Sequence, residues 1–357
     1  MKEEDPSIDF RCWGGEQMMT QGAEVVKHYK DLAFMGFVEV VKNLGTILKN
    51  IKFCKKDILN YKPDALIFID YPGFNLRIAK WAKPLGFKTL YYISPQVWAW
   101  KANRVHGMKK SIDQLYTILP FEADFFKKYD YEVQFVGHPL LDVIDQSAKE
   151  TSFKLENDLA DSPIIALLPG SRRQEIKRML PQMLSVLDEF PDYQFIIGGA
   201  PAIPDSFYEA LIPDDIDANR VKLVSGQTYK LMQNAQAALV TSGTATLETA
   251  LFNTPEIVCY QGNHLSYLIA KRLIKVKYIS LVNLIVDAPL VKELIQNDFN
   301  KTNLTSELKK VLQGPDRVRI FEGYQELRNK LGNAGASSRA AAKMIAYLKS
   351  NSRELEQ

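Results

Sequence analysis

The stretch IIALLPGSRRQEIKRM, residues 164–179, joins a short apolar run to a glycine-containing turn and a basic amphipathic segment. The apolar run predicts a buried strand, and the segment from Gln174 onward predicts a helix. Gly170 lets the backbone turn tightly and approach a ligand closely. Helix N-termini present free N–H groups, and Ser171 and Arg172 add a hydroxyl and a bidentate cation, so the turn suits a pyrophosphate. An ordinary turn with a surface arginine fits the same spacing.

The same alternation of short apolar runs and helical stretches extends outward in both directions. It is typical of β-α-β units on parallel sheets. The predicted strands are 65–69, 88–93, 114–119, 133–136, 164–168, 193–197, 221–224, 237–240 and 256–260.

A polar stretch at about 145–163 interrupts this pattern and predicts a domain junction. We therefore expect an α/β chain with two Rossmann-like doubly wound domains facing a cleft. The first domain is predicted at residues 1–160 and the second at 161–335. A C-terminal helix and tail at 336–357 is expected to pack back on the first domain.

Composition excludes several classes of protein. The formal net charge of +3 is too small to indicate a nucleic-acid binder. The three cysteines form no CxxC pair and the four histidines no HxxxH pair, which argues against disulfides and a zinc site. No apolar run reaches the roughly 18 residues of a membrane span, and the acidic start is no secretory signal. We therefore expect a cytoplasmic location.

A second turn, TSGTATLE at residues 241–248, also follows a predicted strand and leads into a helix. Its amides and hydroxyls, at Ser242, Gly243, Thr244 and Thr246, suit a second part of a nucleotide diphosphate. Glu248 lies one helical turn further, where a carboxylate accepts from ribose hydroxyls. A helix cap with a glutamate favoured by the helix dipole is the alternative. Two such turns on one domain favour a nucleotide site.

Two further motifs follow strands of the first predicted domain. Asp70, in IDYPGFN at 69–75, stands at a strand end, where a carboxylate serves as a general base or caps the next helix. SPQVWAW at 94–100 offers two indoles for stacking on sugar or acyl groups, although core packing is the commoner role. The Asp215–Asp217 pair has DxD spacing but lies in a loop-like stretch, so we interpret it as surface and not as a metal site.

The segment 37–56 predicts an amphipathic helix with lysines beside an apolar stripe. Such a helix lies in the surface of an anionic bilayer or packs on the sheet with a solvated basic face. The apolar positions are Phe37, Val40, Val41, Leu44, Ile47, Leu48 and Ile51.

Taken together, these motifs closely resemble the lipid-A-disaccharide synthase family. The resemblance runs in order from about residue 13 to 336, and SPQVWAW with LPGSR is its most specific part. It also includes LPFE at 119–122, FVGHP at 135–139, MGFVEV at 35–40 and YISLVNL at 278–284.

The resemblance implies a glycosyltransferase B fold and a reaction. The enzyme would transfer 2,3-diacylglucosamine from UDP to the 6-hydroxyl of 2,3-diacylglucosamine 1-phosphate, or lipid X, with inversion and release of UDP. The substrates would be UDP-2,3-diacylglucosamine and lipid X, with no metal or other cofactor and no nucleic acid. The enzyme would lie peripherally on the cytoplasmic face of the inner membrane.

The resemblance also implies roles for single residues. Asp70 matches the general base and Asn283 an asparagine needed for activity, while Arg172 and Glu175 match residues around UDP. The helix at Val38 to Leu48 matches the patch that meets the membrane and acyl chains.

Two departures from the family pattern matter. Gly73 stands where the family has a second aspartate after the IDxP proline. The opening strand and GExSGD turn of the family find no match, so we expect a truncated N-terminal domain. The alternatives are another UDP-sugar enzyme of this fold, such as a UDP-N-acetylglucosamine 2-epimerase, and a truncated inactive lipid-binding fragment.

Overall fold

The computed structural model describes residues 1–29, 44–147, 152–263 and 276–353, and the chain divides into two compact units. Unit 1 contains residues 1–118, 122–136 and 337–357, and unit 2 contains residues 119–121 and 137–336. The described residues of the range 137–160, which the sequence assigned to the first domain, thus belong to unit 2. The reason is apolar burial: Phe153 packs in the same core as Ile164 and Ile196.

Unit 1 is built on parallel strands. In its described part, β1 (Arg11–Gly14) pairs with β2 (Glu24–His28), and a second sheet has the order β3-β4-β5-β6. These four strands are β3 (Ala65–Ile69), β4 (Lys88–Tyr92), β5 (Gln114–Thr117) and β6 (Gln134–Phe135). The first helices are α1 (Glu16–Thr20), α2 (Leu44–Tyr61), α3 (Pro72–Ala82), α4 (Val97–Trp100), α5 (Val105–Ser111) and α6 (Glu122–Lys127).

Unit 2 contains a larger parallel sheet, whose described strands have the order β12-β11-β10-β7-β8-β9. These strands are β7 (Ile164–Leu168), β8 (Gln194–Gly199), β9 (Val221–Ser225), β10 (Ala235–Thr241), β11 (Glu256–Tyr260) and β12 (Lys292–Ile295). The helices are α7 (Leu140–Gln146), α8 (Phe153–Glu156), α9 (Arg173–Leu184), α10 (Asp205–Glu209), α11 (Thr228–Asn234), α12 (Thr244–Leu251), α13 (Leu281–Val286), α14 (Lys301–Leu312) and α15 (Pro315–Leu331).

A last helix, α16 (Ala336–Arg353), belongs to unit 1 from Ser337 onward. Strand side chains alternate between the two faces of a sheet, and β4 shows the consequence. Leu90 points to the face where Ala340 and Met344 of α16 pack, together with Tyr116. Its neighbour Tyr91 points to the opposite face, into a core with residues of α3 and α5.

One of the two central strands in the described sheet of unit 2 is β7, whose five residues are all buried. A parallel strand covered on both faces reads as a continuous apolar run, as this one does. Every strand predicted from the sequence is present with small shifts at its ends. The strands β1, β2 and β12 were not predicted.

Candidate active site

The two predicted turns lie side by side in unit 2. Strands β7 and β10 are parallel neighbours, with Leu168 opposite Val240, so both turns leave the same edge of the sheet. The chain continues from β7 to one side and from β10 to the other, which makes this the point where the strand order reverses. In open α/β sheets, ligands bind at the carboxyl edge at such a switch point.

The turn after β7 depends on Gly170. Its φ of +110° lies where side chains are rarely tolerated. A Cβ built on it would lie 2.8 Å from Oε2 and 3.0 Å from Cβ of Glu175. The first turn of α9 therefore packs directly on this glycine, and only glycine satisfies both conditions.

Arg172 is the N-cap residue of α9, with extended backbone at φ −122° and ψ 140°. Its guanidinium donates from Nη1 to Oε1 of Glu175, and its side chain remains largely exposed. Ser171 beside it is exposed as well. The helix N-terminus, an exposed arginine and an exposed hydroxyl thus meet at one place, as an anionic ligand requires.

The turn after β10 divides into internal and exposed groups. Ser242 donates its hydroxyl to the carbonyl of Ile279 at 3.0 Å, and buried Thr246 donates to the carbonyl of Gly243 at 2.9 Å. Both hydroxyls therefore stabilise the turn itself. Gly243, the N-cap of α12, and Thr244 are exposed, so their amides and the Thr244 hydroxyl are the groups that face solvent.

Glu248 is half-buried in α12 and accepts a hydrogen bond of 2.9 Å from the hydroxyl of Tyr229. Burial raises the pKa of the Glu248 carboxyl, and the bond from Tyr229 partly opposes this. Tyr229 was missed by sequence reasoning. Its only signal was a polar aromatic residue at the start of α11, the helix that follows the edge strand β9 of the same sheet.

Asn283, predicted as catalytic, is buried and its carboxamide is fully engaged. Oδ1 accepts from the amide of Val291 at 2.9 Å, and Nδ2 donates to the Val291 carbonyl at 2.9 Å and to Glu293 at 3.0 Å. Such an arrangement positions the backbone at Val291, and it engages both the oxygen and the nitrogen of the Asn283 carboxamide. Asn283 thus acts on the turn after β10 indirectly, through the residues to which it is hydrogen-bonded.

Glu293 on β12 connects these neighbours and was not predicted. Its carboxylate also accepts from the amides of Ile279, at 3.0 Å, and Ser280, at 2.9 Å. Since the carbonyl of Ile279 receives the Ser242 hydroxyl, a continuous chain of hydrogen bonds links β12 to the turn after β10.

A second carboxyl, Glu256 on β11, is fully buried near Glu293. Burial, and then the charge of Glu293, raise its pKa well above the ordinary value. Within the described residues, neither oxygen of Glu256 has a hydrogen-bond partner. Both effects favour the neutral form of the Glu256 carboxyl in the core of unit 2.

In unit 1, Asp70 follows β3 in a strained turn. Asp70 and Tyr71 have φ of +45° and +46°, which is uncommon for residues with side chains. The carbonyl of Asp70 accepts from the Tyr91 hydroxyl at 2.5 Å and from Asn75 Nδ2 at 2.7 Å, and its amide donates to Tyr92 at 3.0 Å. The backbone is thus held by three bonds while the carboxylate is exposed. Strain of this kind concentrates at functional sites.

The predicted acyl and membrane residues are only partly described. Phe37, Val38, Val40 and Val41 lie outside the described residues. On α2, Leu44 and Leu48 are exposed and Ile47 is partly buried. No helix in the described ranges is long and apolar enough to cross a membrane.

Within the same ranges, no cluster of three or more His, Cys, Asp or Glu side chains forms a candidate metal site. Asp215 and Asp217 are exposed in a loop of unit 2.

Comparison with known proteins adds to this geometry. A family model for lipid-A-disaccharide synthetase matches residues 1–346. A lipid-A-disaccharide synthase of Syntrophus aciditrophicus is 39% identical over 355 residues, which cover 98% of this chain and 92% of that protein.

Two solved structures share the fold. The glycotransferase of kitacinnamycin has a TM-score of 0.60 at 12% identity, over 93% of this chain and 88% of that one. A Neisseria meningitidis UDP-GlcNAc 2-epimerase bound to UDP-GlcNAc has a TM-score of 0.57 at 15% identity, over 93% and 89%. At these identities the likeness shows the fold alone, and it confirms the predicted α/β architecture with parallel sheets. By the family match over nearly its whole length, the chain belongs to the lipid-A-disaccharide synthases.

Proposed function

We propose that this glycosyltransferase transfers 2,3-diacylglucosamine from UDP to the 6-hydroxyl of 2,3-diacylglucosamine 1-phosphate, with inversion and release of UDP. The observation that carries the proposal is the pair of turns at the switch point of unit 2. Two helix N-termini, an exposed arginine and a glycine with positive φ are side by side there. This combination suits the pyrophosphate of a nucleotide sugar.

In this proposal Gly170, Ser171, Arg172, Gly243 and Thr244 face the UDP phosphates. Negative charge builds on the leaving UDP, and the fixed amides of the two turns and the guanidinium of Arg172 stabilise it. Glu248 accepts from the ribose hydroxyls, oriented by the hydroxyl of Tyr229. Ser242, Thr246 and Asn283 support these groups from behind, and Glu175 pairs with the Arg172 guanidinium.

Asp70 is the proposed general base. It accepts the proton of the acceptor 6-hydroxyl while that oxygen attacks the anomeric carbon, and the electron pair of the broken bond leaves with UDP. A single displacement of this kind inverts the anomeric centre and needs no enzyme nucleophile. No metal enters the reaction, so we expect turnover to persist in a chelator.

The test is an assay of the full chain with UDP-2,3-diacylglucosamine and the acylated acceptor, following disaccharide and UDP by mass spectrometry. We expect a β-1,6-linked disaccharide. An epimerase would convert the donor without acceptor, and a purely lipid-binding protein would form neither product. Either outcome would contradict the proposal.

Asp70→Asn is the matching variant, because it removes the base and keeps the shape. We expect its kcat to fall by roughly 100-fold or more, as for loss of a general base. Asp64→Asn is the control, since Asp64 is exposed just before the opposite end of the same strand. Near-normal turnover of Asp70→Asn would remove Asp70 from this role.

We further propose that the enzyme binds the cytoplasmic face of the inner membrane through α2. This helix exposes Leu44 and Leu48 beside the lysines Lys49 and Lys52. Apolar side chains flanked by lysines suit an anionic bilayer surface.

The membrane proposal is tested by sedimentation with phosphatidylglycerol vesicles. Leu44→Glu combined with Leu48→Glu should weaken binding, whereas Leu155→Glu, at an exposed leucine of unit 2, should leave it unchanged. Equal binding by all three proteins would exclude α2 as the membrane contact.

A further inference from the structure

Trp100, at the end of α4, is unusually exposed for a tryptophan. Half of its side chain is accessible, although core packing was the expected role. Large exposed aromatic side chains are uncommon in folded proteins and mark binding surfaces where they cluster with polar groups.

Two cations are held against this ring. Lys101 Nζ lies 4.1 Å from the centroid of the Trp100 ring, and Arg104 Cζ lies 5.7 Å from it. The amide of Arg104 donates to the carbonyl of Lys101 at 3.0 Å, and this tight turn brings both side chains to the same ring. Within the described residues, neither cation has a carboxylate partner.

The surrounding sequence leaves these charges unbalanced. Residues 71–112 contain eight lysines and arginines and no aspartate or glutamate, and Lys83 among them pairs with Asp113 just outside the run. A run of this composition produces a positive potential that attracts anions.

The platform formed by Trp100, Lys101 and Arg104 follows β4, next to the strand that carries Asp70. Strands β3 and β4 are parallel neighbours, so the segments after them leave the same edge of the sheet. The amide of Asp70 is bonded to the carbonyl of Tyr92 at the end of β4. Ile93 directly after it has φ of +63°, which is rare for a β-branched residue and turns the chain sharply there.

We propose that Trp100, Lys101 and Arg104 form a subsite for the phosphate monoester of the acceptor sugar. The planar guanidinium of Arg104 pairs two phosphate oxygens, Lys101 adds a point charge, and the indole holds both cations beside each other. The assignment rests on the proposed function, because only that reaction supplies a phosphorylated sugar acceptor. A phosphate of an anionic lipid headgroup has the same chemistry, and the experiment separates the two sources.

Binding is measured first, since it does not require turnover. Glucosamine 1-phosphate and glucosamine are titrated into the full chain by ligand-observed NMR. We expect the wild type to prefer the phosphorylated sugar. Lys101→Ala combined with Arg104→Ala should bind it roughly 10- to 100-fold more weakly, as for the loss of one or two charge-assisted hydrogen bonds.

The matched control removes the same charge from the same acid-free segment. Lys80 and Lys110 are exposed in the last turns of α3 and α5, which lead into the opposite, amino edge of the sheet. Lys80→Ala with Lys110→Ala should retain the preference. If this control loses it equally, net charge and not the platform binds the phosphate, and the subsite is refuted. Lys101→Arg with Arg104→Lys keeps both charges and should retain most of the binding. This variant keeps the subsite testable even if the alanine variant does not fold.

Kinetics and vesicles then identify the source of the phosphate. With acylated substrates, the alanine variant should raise KM for the acceptor by roughly the same factor and leave KM for the donor unchanged. Its sedimentation with phosphatidylglycerol vesicles should match the wild type. Loss of vesicle binding with an unchanged acceptor KM would overturn the proposal in favour of a lipid headgroup. Absence of transfer by the wild type would instead refute the proposed function. The sugar titration would still show whether Lys101 and Arg104 bind a sugar phosphate.

Discussion

Gly170 combines a backbone conformation and a close contact that no other residue satisfies. Gly170→Ala would carry strain of about 1–3 kcal/mol at this φ and push Glu175, with its partner Arg172, out of place. We expect UDP affinity, measured by isothermal titration calorimetry, to fall by roughly 10-fold or more.

Gly86→Ala separates the two effects. Gly86 also has a positive φ, of +87°, but no atom lies within 4 Å of a Cβ built there. This control should lose stability by strain alone and bind UDP normally. Wild-type affinity in Gly170→Ala would show that the turn does not contact the phosphates.

Glu256 makes stability depend on pH in a defined direction. Its pKa is raised in the fold, first by burial and then by Glu293, above the ordinary 4.5. The folded state therefore holds the proton more tightly than the unfolded state. The stabilisation this provides is complete below about pH 4.5 and is lost as the pH rises through the folded-state pKa.

Glu256→Gln keeps the shape and removes the titration. We expect its free energy of unfolding in urea to decline less than that of the wild type when the pH is raised from about 5 to about 8. Parallel pH dependences for the two proteins would show that Glu256 is ionised in the fold.

At the scale of elements, β12 and α13 hold the turn after β10. Glu293→Gln would turn one acceptor oxygen into a donor facing the amides of Ile279 and Ser280. Asn283→Ala would leave both backbone groups of Val291 without their partner. Because unpaired buried groups cost about 1–3 kcal/mol, we expect both variants to be less stable and to bind UDP several-fold more weakly.

Loss of a purely structural residue would lower stability and leave UDP affinity unchanged. Gln194→Ala is the control for such a loss. Gln194 is as buried as Asn283 and donates to the carbonyls of Ala160 and Ser162 at 2.7 Å, with no link to the turn. If all three variants lose stability and none loses UDP affinity, the hydrogen-bond chain does not position the turn.

Apolar periodicity was enough to predict the central strands. The apolar run at β7 is buried on both faces, and its composition alone predicts a buried strand. The strand β12, with Lys292 and Glu293 in four residues, has no such run because it is an edge strand. Missing β12 also hid the role of Asn283, whose partners lie eight and ten residues further along, just before that strand and within it.

The helix predicted at 37–56 shows a different limit. The described helix α2 runs from Leu44 to Tyr61, beyond the predicted end. Asp57, the first residue beyond the predicted end, forms an ion pair of 2.8 Å with Arg11 of β1. The pairing is between residues 46 positions apart, and no local pattern encodes it.

At the scale of the whole molecule, the chain returns to unit 1 after completing unit 2. Met344 of α16 is buried in a core with Leu90, Tyr116 and Val136. Met344→Ala should therefore destabilise unit 1 by about 2–5 kcal/mol. All four tryptophans, Trp13, Trp81, Trp98 and Trp100, belong to unit 1, so their fluorescence during urea unfolding reports this unit.

Met344→Leu is the control, since a swap of similar volume usually costs below about 1.5 kcal/mol. An unchanged tryptophan transition in Met344→Ala would mean that α16 adds nothing to the stability of unit 1.

The ion pair between Arg172 and Glu175 has a consequence for the speed of the whole enzyme. In the proposed donor site, Glu175 is an intramolecular competitor for the guanidinium that UDP needs. Breaking an exposed pair costs little, so UDP still binds, and the carboxylate recaptures the arginine as the product departs. We expect Glu175→Gln to slow UDP dissociation in stopped-flow measurements. Equal dissociation rates would contradict this. Since product release limits many enzymes, a carboxylate that weakens the grip on UDP would make each catalytic cycle shorter.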